Sequence, residues 1–382
     1  MSCGVSVEAR YSDISPQPAP NVVSGVLDSL QRTSAMICHL LVPGLVPLEK
    51  AGHDGLGDIE LPALEALMAR GTRTRIEPAT LDKWLAAAFN PDRAKEVAAA
   101  PYSVLGEGCD PGSYGWLCAD PVHLQLQGAK VVLTESSRLD IAADEARQML
   151  ETLNAHFSGR NLFFFAPVPQ RWYVRTTDTL RLRTAPTDEV VGKDIKSHLP
   201  AGDDRSYWHG VLNEAQMVLH GHECNEQRER RGELPINSLW LWGAGRIEPS
   251  STRSPYHCVW SDHPLARGLA ISSDIESRAL PESGKLLVET AVATAPKTGS
   301  LHLIVLPRLP HAKHPNTLSW REDLMWLERN WLAPFLAAMQ RGPISALTLY
   351  AVDADDGWSL AFARKDRFRF WRRRKRIFDI RP

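Results

Sequence analysis

The stretch LNEAQMVLHGHECNEQRERRGELPINSLWLWGAG, Leu212 to Gly245, holds two periodicities back to back. Its first half continues a helix that begins near the acidic pair Asp203-Asp204, a start the helix macrodipole favours, and runs to about Arg231. Its second half, Asn237 to Gly243, is an apolar run of strand length closing on glycine. Upstream, Lys130 to Leu133 (KVVL) and Asn161 to Ala166 (NLFFFA) read as strands around an amphipathic helix from Ala142 to Phe157. Arg171 to Arg175 (RWYVR) alternates as a hairpin partner would. Together these segments predict a compact α+β unit.

Further out the pattern changes. Met36 to Val42 (MICHLLV) is continuously apolar and stops at Pro43-Gly44, the signature of a strand buried on both faces. Helices follow over 61–68, with Pro62 suited to the first turn and Gly71 to the stop, and over 80–89, where Leu81, Trp84, Leu85 and Ala88 share a face. Strands at 257–260, 302–306 and 346–352 flank a helix from Trp320 to Arg341. This alternation predicts an α/β fold: a parallel-rich sheet covered by helices and interrupted by the α+β unit. The expected divisions are an N-terminal arm (1–34), a first half of the core (35–115), the insert (116–235), a second half (236–360) and a basic tail (361–382).

The chain has 382 residues, 43% of them hydrophobic and 23% charged, enough for two or three folded units and against wholesale disorder. Its net charge of −1 excludes a molecule that is a polyanion binder over its whole surface. Six cysteines without regular spacing read as reduced thiols, and no apolar run is long enough to cross a bilayer; with no export signal visible, a cytoplasmic protein is expected.

The segment 212–245 resembles archaeal-type cofactor-independent phosphoglycerate mutases of the alkaline phosphatase superfamily, through His222, Asn225, Arg228, Arg231, Asn237, Trp240, Trp242, Gly243 and Gly245. The motifs LLVPGL, LPALE, ADPVHL and INSLWLWG resemble the bacterial RpfE-type regulatory protein family more closely still. The resemblance implies an alkaline-phosphatase-like fold and, for an active member, two divalent ions, manganese or zinc, with a serine nucleophile.

Those groups are not where the resemblance would put them. The first strand ends Val42-Pro43-Gly44-Leu45, and proline cannot ligate a metal. The nucleophile region, 90–101, contains no Ser, Thr or Cys; Ser103 and Ser113 lie nearby without an activating base in the sequence. The late strand ends at Asp353 without a following histidine, and Arg308 stands where a carboxylate would, an arginine that repels cations. Asp54, Asp58, His311 and His314 are the residual metal candidates, read first as solvated loop groups. A zinc site from His220, His222 and Cys224 is disfavoured because residues two apart do not share a helical face. No catalytic residue is assigned, and no cofactor is expected unless the chain is an active manganese or zinc enzyme.

Arg171, His222, Asn225, Arg228, Arg231 and Asn237 are candidates to hold a phosphorylated or carboxylated small molecule, with a surface paired to Glu226, Glu229 and Glu233 as the equal alternative. Trp240 and Trp242 read as core before ligand stacking. From Arg364 onward there are ten basic residues against Asp366 and Asp379. Arg369, Trp371, Arg372, Arg373, Arg374, Lys375 and Arg376 could contact nucleic acid or an anionic membrane, or dock on the protein's own surface. The leading expectation is a catalytically degenerate mutase-like protein that binds a metabolite or a regulatory protein partner. An active phosphomutase or phosphoesterase is second, and a nucleic-acid-associated protein third.

Overall fold

A computed structural model describes residues 35–45, 59–90, 98–248, 254–294, 299–309, 318–369 and 371–372. The N-terminal arm and Asp54, Asp58, His311, His314, Arg373, Arg374, Lys375 and Arg376 lie outside them. Strand β1 (Met36–Pro43) is buried along its whole length. It sits between parallel neighbours β12 (Leu301–Val305) and β13 (Ile344–Val352) in a seven-stranded sheet that runs in the order β11 (Glu276–Arg278), β10 (Cys258–Trp260), β12, β1, β13, β14 (Gly357–Ala363), β2 (Thr72–Arg75). Its side chains divide as a doubly covered strand requires. Cys38, Leu40 and Val42 face a cluster with Trp320, Trp331 and Phe335, while Ile37 and Leu41 face one with Trp84, Leu85 and Leu265.

Helix α1 (Pro62–Arg70) begins with its proline in the first turn and ends at Gly71, as the sequence predicts. Its N-terminus has no side-chain cap of its own. Glu328 supplies one from far along the chain, accepting from the Ala63 and Leu64 N–H groups at 2.5 and 3.0 Å. Glu328 can reach because the predicted helix 320–341 is not regular: α-helical turns at 318–327 and 333–341 flank a π-helical segment, Glu328–Leu332. Helix α2 (Leu81–Phe89) is capped by Thr80, which accepts from the Lys83 N–H.

Three sequence readings change. Strand β9 (Ser238–Gly245) pairs with β3 (Gly115–Gln127) in the insert's five-stranded sheet, with β4 (Lys130–Thr134), β5 (Leu162–Val168) and β6 (Arg171–Thr176), so the insert extends to Gly245 and not to 235. An apolar strand reads alike in either sheet, and only the pairing assigns it. The helix predicted over 204–231 breaks at Gly221-His222 into Arg205–His220 and Glu223–Arg230. Antiparallel β14 (Gly357–Ala363) and edge strand β2 (Thr72–Arg75) extend the sheet past β13; β2 carries no apolar residue and so gives no hydrophobic period.

Insert and core meet at helix α3 (Ala99–Gly106), which lies on β3 and β9 and crosses α7 (Pro264–Ser272) of the core. The crossing is glycine on glycine. A Cβ on Gly106 would stand 1.9 Å from the Pro264 carbonyl oxygen, and one on Gly268 1.7 Å from that of Tyr102. Alanine ordinarily stabilises a helix interior by about 1 kcal/mol over glycine. Here overpacking wins: Gly268→Ala is expected to destabilise the fold by on the order of 3 kcal/mol, read as a lowered urea midpoint. A raised or unchanged midpoint would contradict this crossing.

Candidate functional site

A crevice of about 180 Å3 opens between insert and core. The N-terminus of α2 contributes Asp82, β3 contributes Asp120 and β9 contributes Trp242. A single helical turn, Thr187–Val190, adds Thr187 and Asp188, the turn after β4 adds Glu135, Ser136 and Ser137, and His263 stands just ahead of α7. Asp120 accepts from the Trp242 indole N–H at 2.7 Å and the Thr187 hydroxyl at 3.0 Å. Burial still pushes its carboxyl up, to about 6.

Asp82 is 8% exposed, and its Oδ1 has no hydrogen-bond partner. Burial first, then the carboxylates of Asp188, Asp120 and Glu189, push it up to about 8. Burial lowers His263 to about 4, and its Nδ1 is also without a partner. The crevice lining thus combines a carboxyl pushed up to about 8 with an imidazole pushed down to about 4, groups from which proton transfer or polar recognition can be built.

At the end of the core sheet an arginine joins two carboxylates. Arg308, just past β12, donates to Asp188 Oδ2 at 2.6 Å and to Asp353 Oδ2 at 2.9 Å, joining the insert to the end of β13. Lys83 pairs with Glu189, and Arg171 forks onto Glu107 at 2.6 and 3.2 Å. Among the described residues no three His, Cys, Asp or Glu side chains are placed to hold a metal ion, Ser103 is buried within α3, and Cys224 and Cys258 lie in different sheets' layers.

The six anion-binding candidates are committed to the chain itself. Arg228 is fully buried and donates to Glu145 at 2.7 Å, to the Leu234 carbonyl at 2.9 Å and to the Leu139 carbonyl. Arg231 bonds Glu145 and Glu233. Asn225 bridges both backbone groups of Ile236 and the Leu219 carbonyl, and Asn237 bridges both backbone groups of Leu124. His222 caps the helix 223–230, accepting from the Cys224 N–H at 3.1 Å, with its other nitrogen 3.0 Å from the Thr152 hydroxyl. Only Arg171 lies by the crevice, near enough to act on Asp120 and His263. Arg228, Arg231, Asn225 and His222 thus tie the helix 223–230 to its neighbours in the insert, while Arg171 is tied to Glu107 at the end of α3.

Sequence reasoning missed Asp82, Asp120 and His263. A visible signal existed at Asp120: an acid interrupts the apolar strand LCADPVHL. The tail is partly described: Arg369 donates to the Arg70 carbonyl and pairs with Asp366, and Trp371 and Arg372 are exposed.

Two expectations follow. Arg228→Ala leaves Glu145 buried beside unmatched carbonyls and should cost about 3–5 kcal/mol in urea unfolding, whereas Arg231→Ala at the rim should have a much smaller effect. For Asp82 the folded-state value lies above the unfolded one, so its protonated form contributes stability that is complete below about pH 4 and lost as pH rises through about 8. Asp82→Asn should flatten the dependence of the thermal midpoint on pH across that window; parallel profiles for the two proteins would show that the carboxyl is not held protonated. The groups facing it are Asp120 and Cys118 from β3, and Asp188 and Glu189 from the turn 187–190.

No family model matches the chain. It is 28% identical over 221 residues to a 2,3-bisphosphoglycerate-independent phosphoglycerate mutase of Methanosarcina mazei, which is 52% of each chain. It is 32% identical over 107 residues to that of Methanosarcina barkeri, 28% of this chain and 27% of the relative. The matches thus span about half the length of these curated relatives or less. Among solved structures, a Pyrococcus horikoshii protein aligns over 86% of this chain and 87% of its own at a TM-score of 0.54 and 14% identity. A cofactor-independent phosphoglycerate mutase from Thermoplasma acidophilum aligns over 86% and 90% at 0.46 and 16%. The chain is phosphoglycerate-mutase-like over stretches of up to about half its length, on an α/β fold shared with the P. horikoshii protein.

Proposed function

We propose that this protein is a catalytically degenerate phosphoglycerate-mutase-like protein that acts by binding in the crevice between insert and core. One observation carries the reading: the carboxylate at the end of β13, Asp353, is held by the guanidinium of Arg308, which also holds Asp188. A cation supplied by the chain satisfies charges that a two-metal phosphotransferase would spend on its ions. The Val42-Pro43-Gly44 turn at the end of β1 supports it, offering no ligating side chain.

The ligand class follows from the lining. A phosphorylated or carboxylated molecule entering the crevice would meet Asp120, Asp188 and Glu135, with Asp82 close to ionising, so the crevice favours a neutral or donor-rich ligand over the anion expected from the sequence. The binding serves a regulatory or metabolite-sensing role, in keeping with the resemblance to the RpfE-type family. No described helix is long and apolar enough to cross a membrane.

Purified protein supplied with manganese or zinc should turn over 3-phosphoglycerate and generic phosphate esters no faster than a buffer blank, and should retain no stoichiometric metal by elemental analysis. Turnover that a chelator abolishes would establish the active-phosphomutase reading in its place.

A further inference from the structure

We propose that the crevice between insert and core binds a small primary ammonium, whose N–H groups bond Asp82, Asp120 and His263 and whose carbon chain lies against Leu81 and Trp242. The inference rests on the reading of this protein as one that acts by binding in that crevice, and it names the chemistry of the ligand.

Four carboxylates line the crevice, and the chain matches two of them with cations. Asp188 pairs with Arg308 at 2.6 Å and Glu135 with Arg138 at 3.6 Å. Asp82 and Asp120 make no ion pair with a described residue; Arg171, which acts on Asp120 from nearby, is forked onto Glu107. Asp120 takes the Thr187 and Trp242 bonds on the same oxygen, Oδ2, so no described side chain donates to Oδ1. The Thr80 cap fixes the first turn of α2 and with it the place of Asp82. That side chain is 8% exposed with Oδ1 lacking a partner, and His263 Nδ1 lacks one too. A buried acceptor left without a donor is unfavourable, and a ligand N–H removes the deficit.

A primary ammonium is three donors and no acceptor. The crevice offers it Asp82 Oδ1, Asp120 Oδ1 and, in the Nε2–H tautomer, His263 Nδ1. Burial holds the imidazole down at about 4, so at neutral pH it adds no opposing charge. A metal ion fits less well, since among the described residues no three His, Cys, Asp or Glu side chains are placed to hold one. A donor reaches further, about 2.9 Å for N–H···O against about 2.0–2.6 Å for a metal–oxygen bond. At about 180 Å3 the space is below the roughly 300–1,000 Å3 of drug-sized sites, which limits the ligand to a few heavy atoms.

Protonation is linked to this binding. Burial, then Asp188, Asp120 and Glu189, pushes Asp82 up to about 8, so below that pH an arriving cation displaces its proton. From β3 Asp120 and Cys118 face Asp82, from the turn 187–190 Asp188 and Glu189; His263 lines the same space, and Lys83 of its own helix is taken by Glu189. An alkylammonium, with a pKa near the roughly 10.4 of lysine, stays charged throughout.

Butylammonium chloride is titrated calorimetrically into the full chain in phosphate buffer between about pH 6 and about pH 9, with butanol and butyl phosphate as neutral and anionic counterparts. Affinity should rise toward tenfold per pH unit up to about pH 8 and level off above it, and both counterparts should bind at least about tenfold more weakly on that plateau. Asp82→Asn should lose at least about tenfold in affinity at about pH 9, and the pH dependence with it. Asp120→Asn, whose amide oxygen still accepts from Trp242 and Thr187, should weaken binding and move the rise to lower pH, since one charge that raises Asp82 is gone. Asp144→Asn, on the exposed side of a helix in the insert, should bind as the parent does. A cooperative thermal transition shows that each variant is folded. No binding, tighter binding of butyl phosphate, or equal affinity of the Asp82→Asn and parent proteins overturns the proposal, and so does equal weakening by Asp144→Asn, the mark of diffuse attraction to surface charge. With no turnover of phosphate esters, these results remove this ligand and leave the binding role standing; chelator-sensitive turnover removes both.

Discussion

How closely α3 can approach its neighbours decides the geometry of the crevice. On one side Gly106 and Gly268 let α3 and α7 cross with backbone against backbone. On the other, the end of β9 passes over the start of the same helix: a Cβ on Gly243 would stand 3.0 Å from that of Ala99, and one on Gly245 2.4 Å from that of Ala98. Gly243 also has φ +67°, which a larger side chain resists. The Trp-Gly-Ala-Gly ending of β9 is therefore a packing requirement of α3. With α3 clamped from both sides, Asp120 and Trp242 of the insert stand opposite Asp82 and His263 of the core at a fixed separation. A wider helix crossing would pull the two halves of the lining apart.

Electrostatics complete what packing begins. Asp82, Asp120 and Asp188 approach one another across the gap and repel, which is why burial and mutual charge raise the first two. The fold tolerates this because part of the charge is removed by protonation and part is matched by Arg308, which bonds Asp188 of the insert and Asp353 of the core. An ion pair that spans two packed units contributes less to net stability than to register, since its desolvation offsets much of the attraction. Arg308 thus sets where the turn 187–190 sits over the sheet, and with it the position of Thr187 against Asp120.

The elements that could be read from the sequence were those whose burial is written in a single period. β1, with both faces covered, and the helix 143–156, with one stripe, have unambiguous patterns, and Pro62 and Gly71 mark α1 by their backbone constraints alone. β9 shows the limit. Its apolar run declares a buried strand, but membership of one sheet or the other depends on hydrogen bonds to β3, more than a hundred residues away. β2 is invisible for the opposite reason: an edge strand of Thr and Arg has no buried face to leave a pattern. The site was less legible than the fold. Asp82 reads as an ordinary acid in a helix's first turn, where the macrodipole would lower its pKa, and only the tertiary meeting with Asp120 and Asp188 reverses the sign.

The arginine-rich hallmark shows why residue type without a partner misleads. A guanidinium beside a phosphate and one beside a buried glutamate look alike in sequence, since both are arginines in a polar segment. Arg228 reaches Glu145, 83 positions earlier, and two carbonyls as well, so its donors are spent where no ligand can compete. The edge of the sheet inverts this arrangement. There Arg70, Arg364 and Arg367 donate to carbonyl oxygens, and Arg369 is shared between the Arg70 carbonyl and Asp366.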